Sequence, residues 1–391
     1  MFSLILSTLL AAAPQSPWVV DRDGRPGTNF TDLPPAVAAA AHGDTILVRA
    51  ATSLGIYGQF TVNGKALTIR GEGAVRPQCL GASIGAVPPG SVFALHGLAM
   101  SAGVVIDNSN VAIASCSLSI DIANGSHVVV SRSSCGPTQI RSGSTMVANG
   151  SSFSAPNYGY VVYGCSSYSS SSALVANNAR LLLHDCRAVG GVDAYFFPGG
   201  AFGGCIGPSY SPHPALVLTA SSVRIAGART VMYGGLTASY FAPTIAADAT
   251  TQGVVHGNVS IVSPPQFAQV PDVLPVRSVG GTMLPGEEIA TTSPVTVTLS
   301  GHLPGAPLLM AFDTTPPSAV DLGPIALGEV MLPASSYVLA ATLDSAGMFA
   351  VTLPGSLVPW VDTPVFGQAA VLDATAGSFL MSNLETRLFA N

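Results

Sequence analysis

The chain has 391 residues, of which 48% are hydrophobic and only 9% charged, so it is too apolar to be disordered and too long for one ordinary domain. Its formal net charge is −6 and its single lysine is Lys65, so no basic patch is present to neutralise phosphates. Nucleic acid and anionic membrane surfaces are therefore poor partners.

Residues 2–13 (FSLILSTLLAAA) form an apolar run followed by Pro14, Gln15 and Ser16, the pattern of a secretory h-region and its cleavage zone. We expect residues 1–16 to be a signal peptide and the protein to be secreted or held at the cell surface. The run is too short to span a bilayer, and membrane insertion is not expected. Six cysteines occur, at 79, 116, 135, 165, 186 and 205. Two readings stay open for them, disulfides of an exported protein or buried thiols acting as small hydrophobes. No CxxC spacing points to a zinc site, and no metal is expected there.

Trp18, Val19 and Val20 read as a strand closed by a turn. Thr31 or Asp32 can cap a helix that tolerates Pro34 and Pro35 in its first turn and runs through alanines to Ala41. Thr45, Ile46, Leu47 and Val48 begin a strand pattern that continues through Phe60, Thr61, Val62 and through Leu67, Thr68, Ile69. Asn63-Gly64 marks the turn between these two. Residues 36–48 (AVAAAAHGDTILV), 57–60 (YGQF) and 66–73 (ALTIRGEG) resemble the entry to right-handed parallel β-helix proteins of the pectate-lyase-like superfamily. The resemblance covers roughly residues 17–262. It implies a short capping helix and a solenoid, but it is silent on reaction, because that superfamily holds lyases, hydrolases, adhesins and proteins without activity.

The residues support a solenoid on their own. From 104 to 235, short apolar strands alternate with Ser, Asn and Gly corners. Aligning the corners places Ile106, Ile122, Ile140, Val175 and Val217 at one rung position, and Val111, Val128, Met146, Leu181 and Val223 just beyond the corner. Cys116, Ser133, Ser151, Cys186 and Ala228 follow, all small. A fixed side-chain type at a fixed offset is what stacked coils require, since each coil buries its inward residues against its neighbours.

Two stretches, 157–172 and 193–214, break this rhythm and are expected to project as loops. Residues 263–275 form a proline-spaced linker. Beyond it, 295–299, 307–312, 337–343, 348–353 and 368–372 read as short strands at the spacing of an antiparallel sandwich. Residues 343–347 (LDSAG), 366–373 (FGQAAVLD) and Ser382-Asn383 resemble a small β-module common on large secreted bacterial proteins, which implies attachment more than chemistry. The expected fold is thus all-β: a right-handed parallel β-helix with a short N-terminal capping helix over 17–262, then a C-terminal antiparallel β-sandwich over 276–391.

The densest titratable group of the repeat is His184, Asp185, Arg187 and Asp193. Asp185 and Arg187 share a strand face if the strand continues that far, and this group would carry any lyase or hydrolase chemistry. Ca²⁺ would enter only for a lyase; otherwise no cofactor is expected. Against this stands the plain reading of a corner salt bridge. The paired-Asp, His-Gly and Arg-Ile-Lys signatures of polygalacturonase-like hydrolases are not assembled: His96-Gly97 and His256-Gly257 occur alone, and Arg224-Ile225 is followed by Ala226. Asp107 and Asp121 sit near successive corners, either sharing a cation or capping turns. The stronger candidate is aromatic. Tyr195, Phe196, Phe197, Phe202 and Tyr210, with Tyr158, Tyr160, Tyr163 and Tyr168 on the first insertion, supply flat rings that stack on sugar faces or else cover the solenoid side as a satellite core. The expected function is binding or structural, contacting a polysaccharide or cell-surface glycan through the insertions. The alternative is a polysaccharide lyase or glycoside hydrolase acting on an acidic polysaccharide.

Overall fold

The structure, a computed structural model, describes residues 17–390 except 53–54, 156–157, 163–164, 170, 199–204, 227–228, 236–241, 257–259, 262–267, 271–275, 280–282, 285–287, 291–294, 301–303, 314–319, 322–325, 328, 331–336, 354–363, 375–377 and 382–384. In the two insertions the description is of backbone strands. The expected leader, 1–16, lies outside the described residues.

Asp32 caps the helix Leu33–Ala39, its Oδ1 accepting from the Leu33 N–H, with prolines in the first turn where no donor is needed. The helix stops at Ala40, which is extended. Lys65 closes this end from a neighbouring coil: its Nζ donates to Val37 O and Ala40 O, each at 2.6 Å. The helix buries Leu33, Ala36 and Val37 against the first coils.

Behind this cap, eleven strands form one parallel sheet, running from Trp18–Val20 and Thr45–Arg49 through Asn110–Ala114, His127–Ser131, Thr145–Asn149 and Arg180–His184 to Ala268–Val270. That last strand falls inside the stretch read as a linker, so the sheet extends past residue 262. A second parallel sheet of fourteen strands takes the remaining limbs of each coil, including Val104–Asp107, Ser117–Ala123, Ser134–Arg141 and Leu174–Asn177. The all-β expectation with long parallel sheets and a capping helix is met.

Corners between the sheets are made by left-handed residues, one above another, with a left-handed glycine following at Gly125 and Gly143. Ala86, Asn108, Asn124, Ser142, Asn178 and Ala220 form one column, with φ from 43° to 57°. Gly97, Ser115, Arg132, Gly150 and Asp185 form the other, with φ from 47° to 63°. Hydroxyls tie neighbouring coils together at corners of both columns. Ser109, Ser126 and Ser221 donate their Oγ–H to a carbonyl of their own coil, and each Oγ accepts a backbone N–H from a neighbouring coil: those of Val87, Ser109 and Ala179 respectively. At the second column Cys116 N–H donates to Ser133 Oγ, Ser133 N–H to Ser151 Oγ and Cys186 N–H to Thr230 Oγ1. The small-residue position is therefore a hydrogen-bonding ladder, which Thr230 continues; Ala228 lies outside the described residues.

Inward columns follow the repeat. Val111, Val128, Met146, Leu181 and Val223 pair in register as expected. In the other column Ile106, Ile122 and Ile140 continue into Ala176 and Leu218. Val175 and Val217 stand one residue away, half-buried, so the register there is shifted by one from the sequence alignment. Such a slip exchanges the inner and outer faces of a strand.

The outer face of the eleven-stranded sheet also carries an apolar column: Ala112, Val129, Val147 and Leu182 are buried, with Ala311 packed against them. Ala311 belongs to the strand Pro307–Asp313 of the C-terminal region, where strands pair antiparallel: Val276–Val279, Val295–Ser300 and Met348–Leu353 in one sheet, and Pro307–Asp313, Tyr337–Thr342, Pro364–Asp373 and Glu385–Ala390 in another. Leu299 of the first sheet and Leu308, Met310, Ala369 and Val371 of the second share one buried cluster.

Candidate functional site

The coils place both insertions at one point of the circuit. In two early coils a single bent strand, Ser117–Ala123 or Ser134–Arg141, runs unbroken along the fourteen-stranded sheet. In the next two coils that strand is interrupted. The chain leaves after Ser152–Ser154 and returns at Leu174–Asn177, then leaves after Arg187–Val189 and returns at Leu216–Thr219. Because the coils stack, the two departures lie one above the other on the same side.

There the chain forms paired strands where the sequence suggested loops. Tyr158–Val162 and Cys165–Ser169 make one antiparallel hairpin, Val192–Pro198 and Cys205–Pro212 a second. Tyr168 pairs with Ala194, so the hairpins join into a four-stranded antiparallel sheet in the order first, second, third, fourth. The cross-strand row Gly159, Tyr168, Ala194, Tyr210 runs through all four strands. Tyr195 stands opposite Ser209, and Tyr160 opposite Ser167. Tyr163 and Phe202 lie outside the described residues, as do the side chains of Asp193, Tyr195, Phe196, Phe197, Tyr160 and Tyr210.

The root of the second hairpin is tied by backbone bonds: His213 N–H donates to Gly191 O at 2.8 Å, and Gly235 N–H to His213 O at 2.7 Å. Side chains are excluded at this crossing. A Cβ on Gly190 would lie 2.1 Å from His213 O, and one on Gly235 would lie 2.0 Å from Gly191 O. These glycines are required for close approach, the reason a sheet interior most often carries one.

The titratable group is arranged differently from the sequence expectation. Asp185 is a left-handed corner with φ 51°, so it ends one strand and turns the chain before Arg187. The two therefore share no strand face. The Asp185 carboxylate accepts from Arg229 three times, from its backbone N–H at 3.1 Å, Nε at 3.0 Å and Nη2 at 2.7 Å. Burial pushes this carboxyl up, but the neighbouring His184 and the Arg229 bonds outweigh it and hold it below the ordinary carboxylate value. His184 Nδ1 lies 3.3 Å from Asn149 Oδ1 and 4.0 Å from Asp185 Oδ2. Arg187 Nη2 donates to Tyr233 OH, with its guanidinium 5.6 Å from that ring's centre. Asp193 stands on the insertion strand with its backbone opposite Ser211. Asp185 is thus enclosed in a corner ion pair, the plainer of the two sequence readings.

Asp107 and Asp121 are engaged separately. Asn124 Nδ2 donates to Asp107, while Arg141 Nη2 grips both oxygens of Asp121, at 2.6 Å for Oδ1. Among the described residues no group of three His, Cys, Asp or Glu side chains is placed to hold a metal ion. Cys79, Cys116, Cys135 and Cys186 are free and buried, and burial raises each thiol, Cys79 and Cys186 to about 12 and Cys116 to about 11. Arg229, Tyr233 and Asn149 went unnoticed in the sequence, since their partners lie 35 to 46 positions away and only the stacking of coils brings them together.

No protein-family model matches the chain, and no curated protein or solved structure matches it either.

Proposed function

We propose that the chain is a secreted or cell-surface binding protein that contacts a polysaccharide or cell-surface glycan through its insertion sheet and performs no chemistry on it. The observation that carries this reading is the union of two insertions from neighbouring coils into one four-stranded sheet on one side of the solenoid. A solenoid's coils are interchangeable, and function gathers where the repeat is interrupted. The interruptions bring Tyr168 and Tyr210 into one cross-strand row and set Tyr160 and Tyr195 on the same four strands. Aromatic side chains with a polar tip offer area at low entropic cost and stack on the apolar faces of sugar rings. The enclosure of Asp185 by Arg229 supports a binding role over a catalytic one, since a general acid or base has to reach substrate.

We further read the solenoid as a right-handed β-helix of pectate-lyase-like type, in keeping with the near-universal hand of parallel crossovers. The C-terminal region is read as a β-sandwich module for attachment, supported by the buried cluster its two antiparallel sheets share.

A glycan array probed with the full chain tests this. Binding that survives Asp185→Ala but disappears in Tyr195→Ala/Phe197→Ala supports it; absence of binding to any glycan refutes it. A reducing-sugar and unsaturated-uronate screen over polyuronates, with and without EDTA, detects the lyase or hydrolase alternative directly.

A further inference from the structure

We propose that the cleft at the ends of the strands Thr45–Arg49 and Thr68–Glu72 is a second binding site, separate from the insertion sheet, for a small hydroxylated carboxylic acid. The cleft has a volume of about 330 Å³ and is lined by Arg25, Arg49, Ala50, Glu72, Gly73, Ala74 and Val75. That lies at the lower end of small-molecule sites, which run to roughly 300–1,000 Å³.

Its chemistry comes from two guanidinium groups held in place by the protein itself. Asp21 is fully buried beneath them. Its Oδ2 accepts from Arg25 Nε at 2.6 Å and lies 3.6 Å from Arg49 Nη1, and its Oδ1 lies 3.3 Å from Arg25 Nη2. Arg25 Nη2 also donates to Ala50 O at 2.8 Å. Arg49 is fixed on two further sides: Nη1 donates to Pro26 O at 3.0 Å and Nε to Glu72 Oε2 at 2.8 Å. These bonds leave Arg25 Nη1 and Arg49 Nη2 without a protein partner among the described residues, on side chains whose rotamers are already set.

Two pre-oriented guanidinium edges recognise a carboxylate, since charge-assisted N–H···O bonds are about twice as strong as neutral ones. Pre-orientation matters because ordering a long side chain on binding otherwise costs conformational entropy. Glu72 lines the same cleft as an acceptor, which selects hydroxyl donors on the ligand and penalises a bare multiply charged anion. Val75, 69% exposed, and Ala74 supply an apolar wall. A carboxylate, several hydroxyls and a carbon skeleton of about six atoms satisfy all three surfaces within this volume.

The probe is D-gluconate, titrated into the full chain by calorimetry, with glucitol (hydroxyls only) and hexanoate (carboxylate only) as controls. We expect saturable one-site binding of gluconate, with both controls at least about ten-fold weaker, a difference of about 1.4 kcal/mol. Arg25→Gln and Val75→Trp should each weaken gluconate about ten-fold or more. The second fills the cleft from an exposed position without touching an ion pair, so it guards against a variant that merely fails to fold. Absence of saturable gluconate binding, equal binding of either control, or binding that Val75→Trp leaves unchanged would overturn the proposal. Glycan binding by the insertion sheet is a separate readout and is expected to be indifferent to both variants.

Discussion

The backbone N–H of Ser133 donates to Ser151 Oγ on the next coil at 3.2 Å, and Ser151 Oγ–H turns back to Asn149 O at 3.1 Å. Each hydroxyl thus satisfies a buried donor above and a carbonyl beside it. Cys116 and Cys186 repeat the second half of this arrangement, with Sγ 3.2 Å from Ala114 O and from His184 O. They lack only the acceptor strength of oxygen.

Ser133→Ala therefore leaves the Cys116 N–H without its acceptor in a dry interior, at a cost of about 1–3 kcal/mol. Urea unfolding should show that loss, and Ser133→Cys should lie between the two because sulfur accepts weakly. Equal stability of Ser133→Ala and the parent would mean that the ladder contributes nothing.

At the root of the second insertion, Gly235→Ala drives a methyl group into Gly191 O, a contact of 2.0 Å that backbone cannot relieve without shifting. The hairpin must move as a unit. We expect glycan binding to fall by about ten-fold or more while far-UV circular dichroism of the solenoid is retained. Retained binding with an unshifted melting temperature would show that the crossing is not constrained.

The four buried thiols prefer their neutral form, with Cys116 raised to about 11 and Cys79 and Cys186 to about 12 from an ordinary value of 9.0. The unfolded chain loses these protons first, so the folded state binds more of them and stability falls as pH rises above about 9. The urea midpoint should drop between pH about 8 and about 10.5, and less so in a Cys79→Ala/Cys135→Ala chain compared with its own value at neutral pH. In a Cys165→Ser/Cys205→Ser background, Ellman's reagent should report no reactive thiol until denaturant is added. Rapid labelling without denaturant contradicts the burial.

Carboxylates act at the other end of the scale. For Asp21 burial raises the carboxyl, but the Arg25 bond, the Asp23 N–H and the charges of Arg25 and Arg49 bring it below the ordinary 3.8. Asp185 is likewise lowered. Both hold fewer protons folded than unfolded, so their stabilisation is present above pH about 4 and is lost as pH falls through the folded values. Asp21→Asn should flatten the acid limb of the melting-temperature profile. Asp185→Asn should do so less, because its partner Arg229 is 65% exposed and such pairs are worth about 0–1 kcal/mol.

Much of this solenoid was legible because its signal is local. Alignment of the polar corners named Val111, Val128, Met146, Leu181 and Val223, and Asp32 with Pro34 and Pro35 announced the helix. The column through Val175 slipped because Asn177-Asn178 offers two residues able to take a left-handed corner, and the second one does; in the next coil Ala220 takes it with no polar signal at all. For Asp185 the sequence left a shared strand face and a corner salt bridge both open, since a corner conformation carries no mark in a run of strand formers; the residue takes the corner. The Ser and Cys offsets read only as small size, whereas the hydroxyls work between coils 17 or more positions apart. The four-stranded sheet was missed because Ser, Gly and Tyr in 157–172 lack strand alternation, and its pairing with 192–212 is fixed by stacking of the coils beneath.

The insertion sheet is proposed as the glycan-contacting surface. Its most direct measurement replaces residues 193–211 by a two-residue Asn-Gly turn in the full chain and compares glycan-array binding and melting temperature with the parent. Array binding should be lost completely while the melting temperature stays within a few degrees of the parent, since the coils below keep their ladders. Undiminished binding by the shortened chain would contradict it.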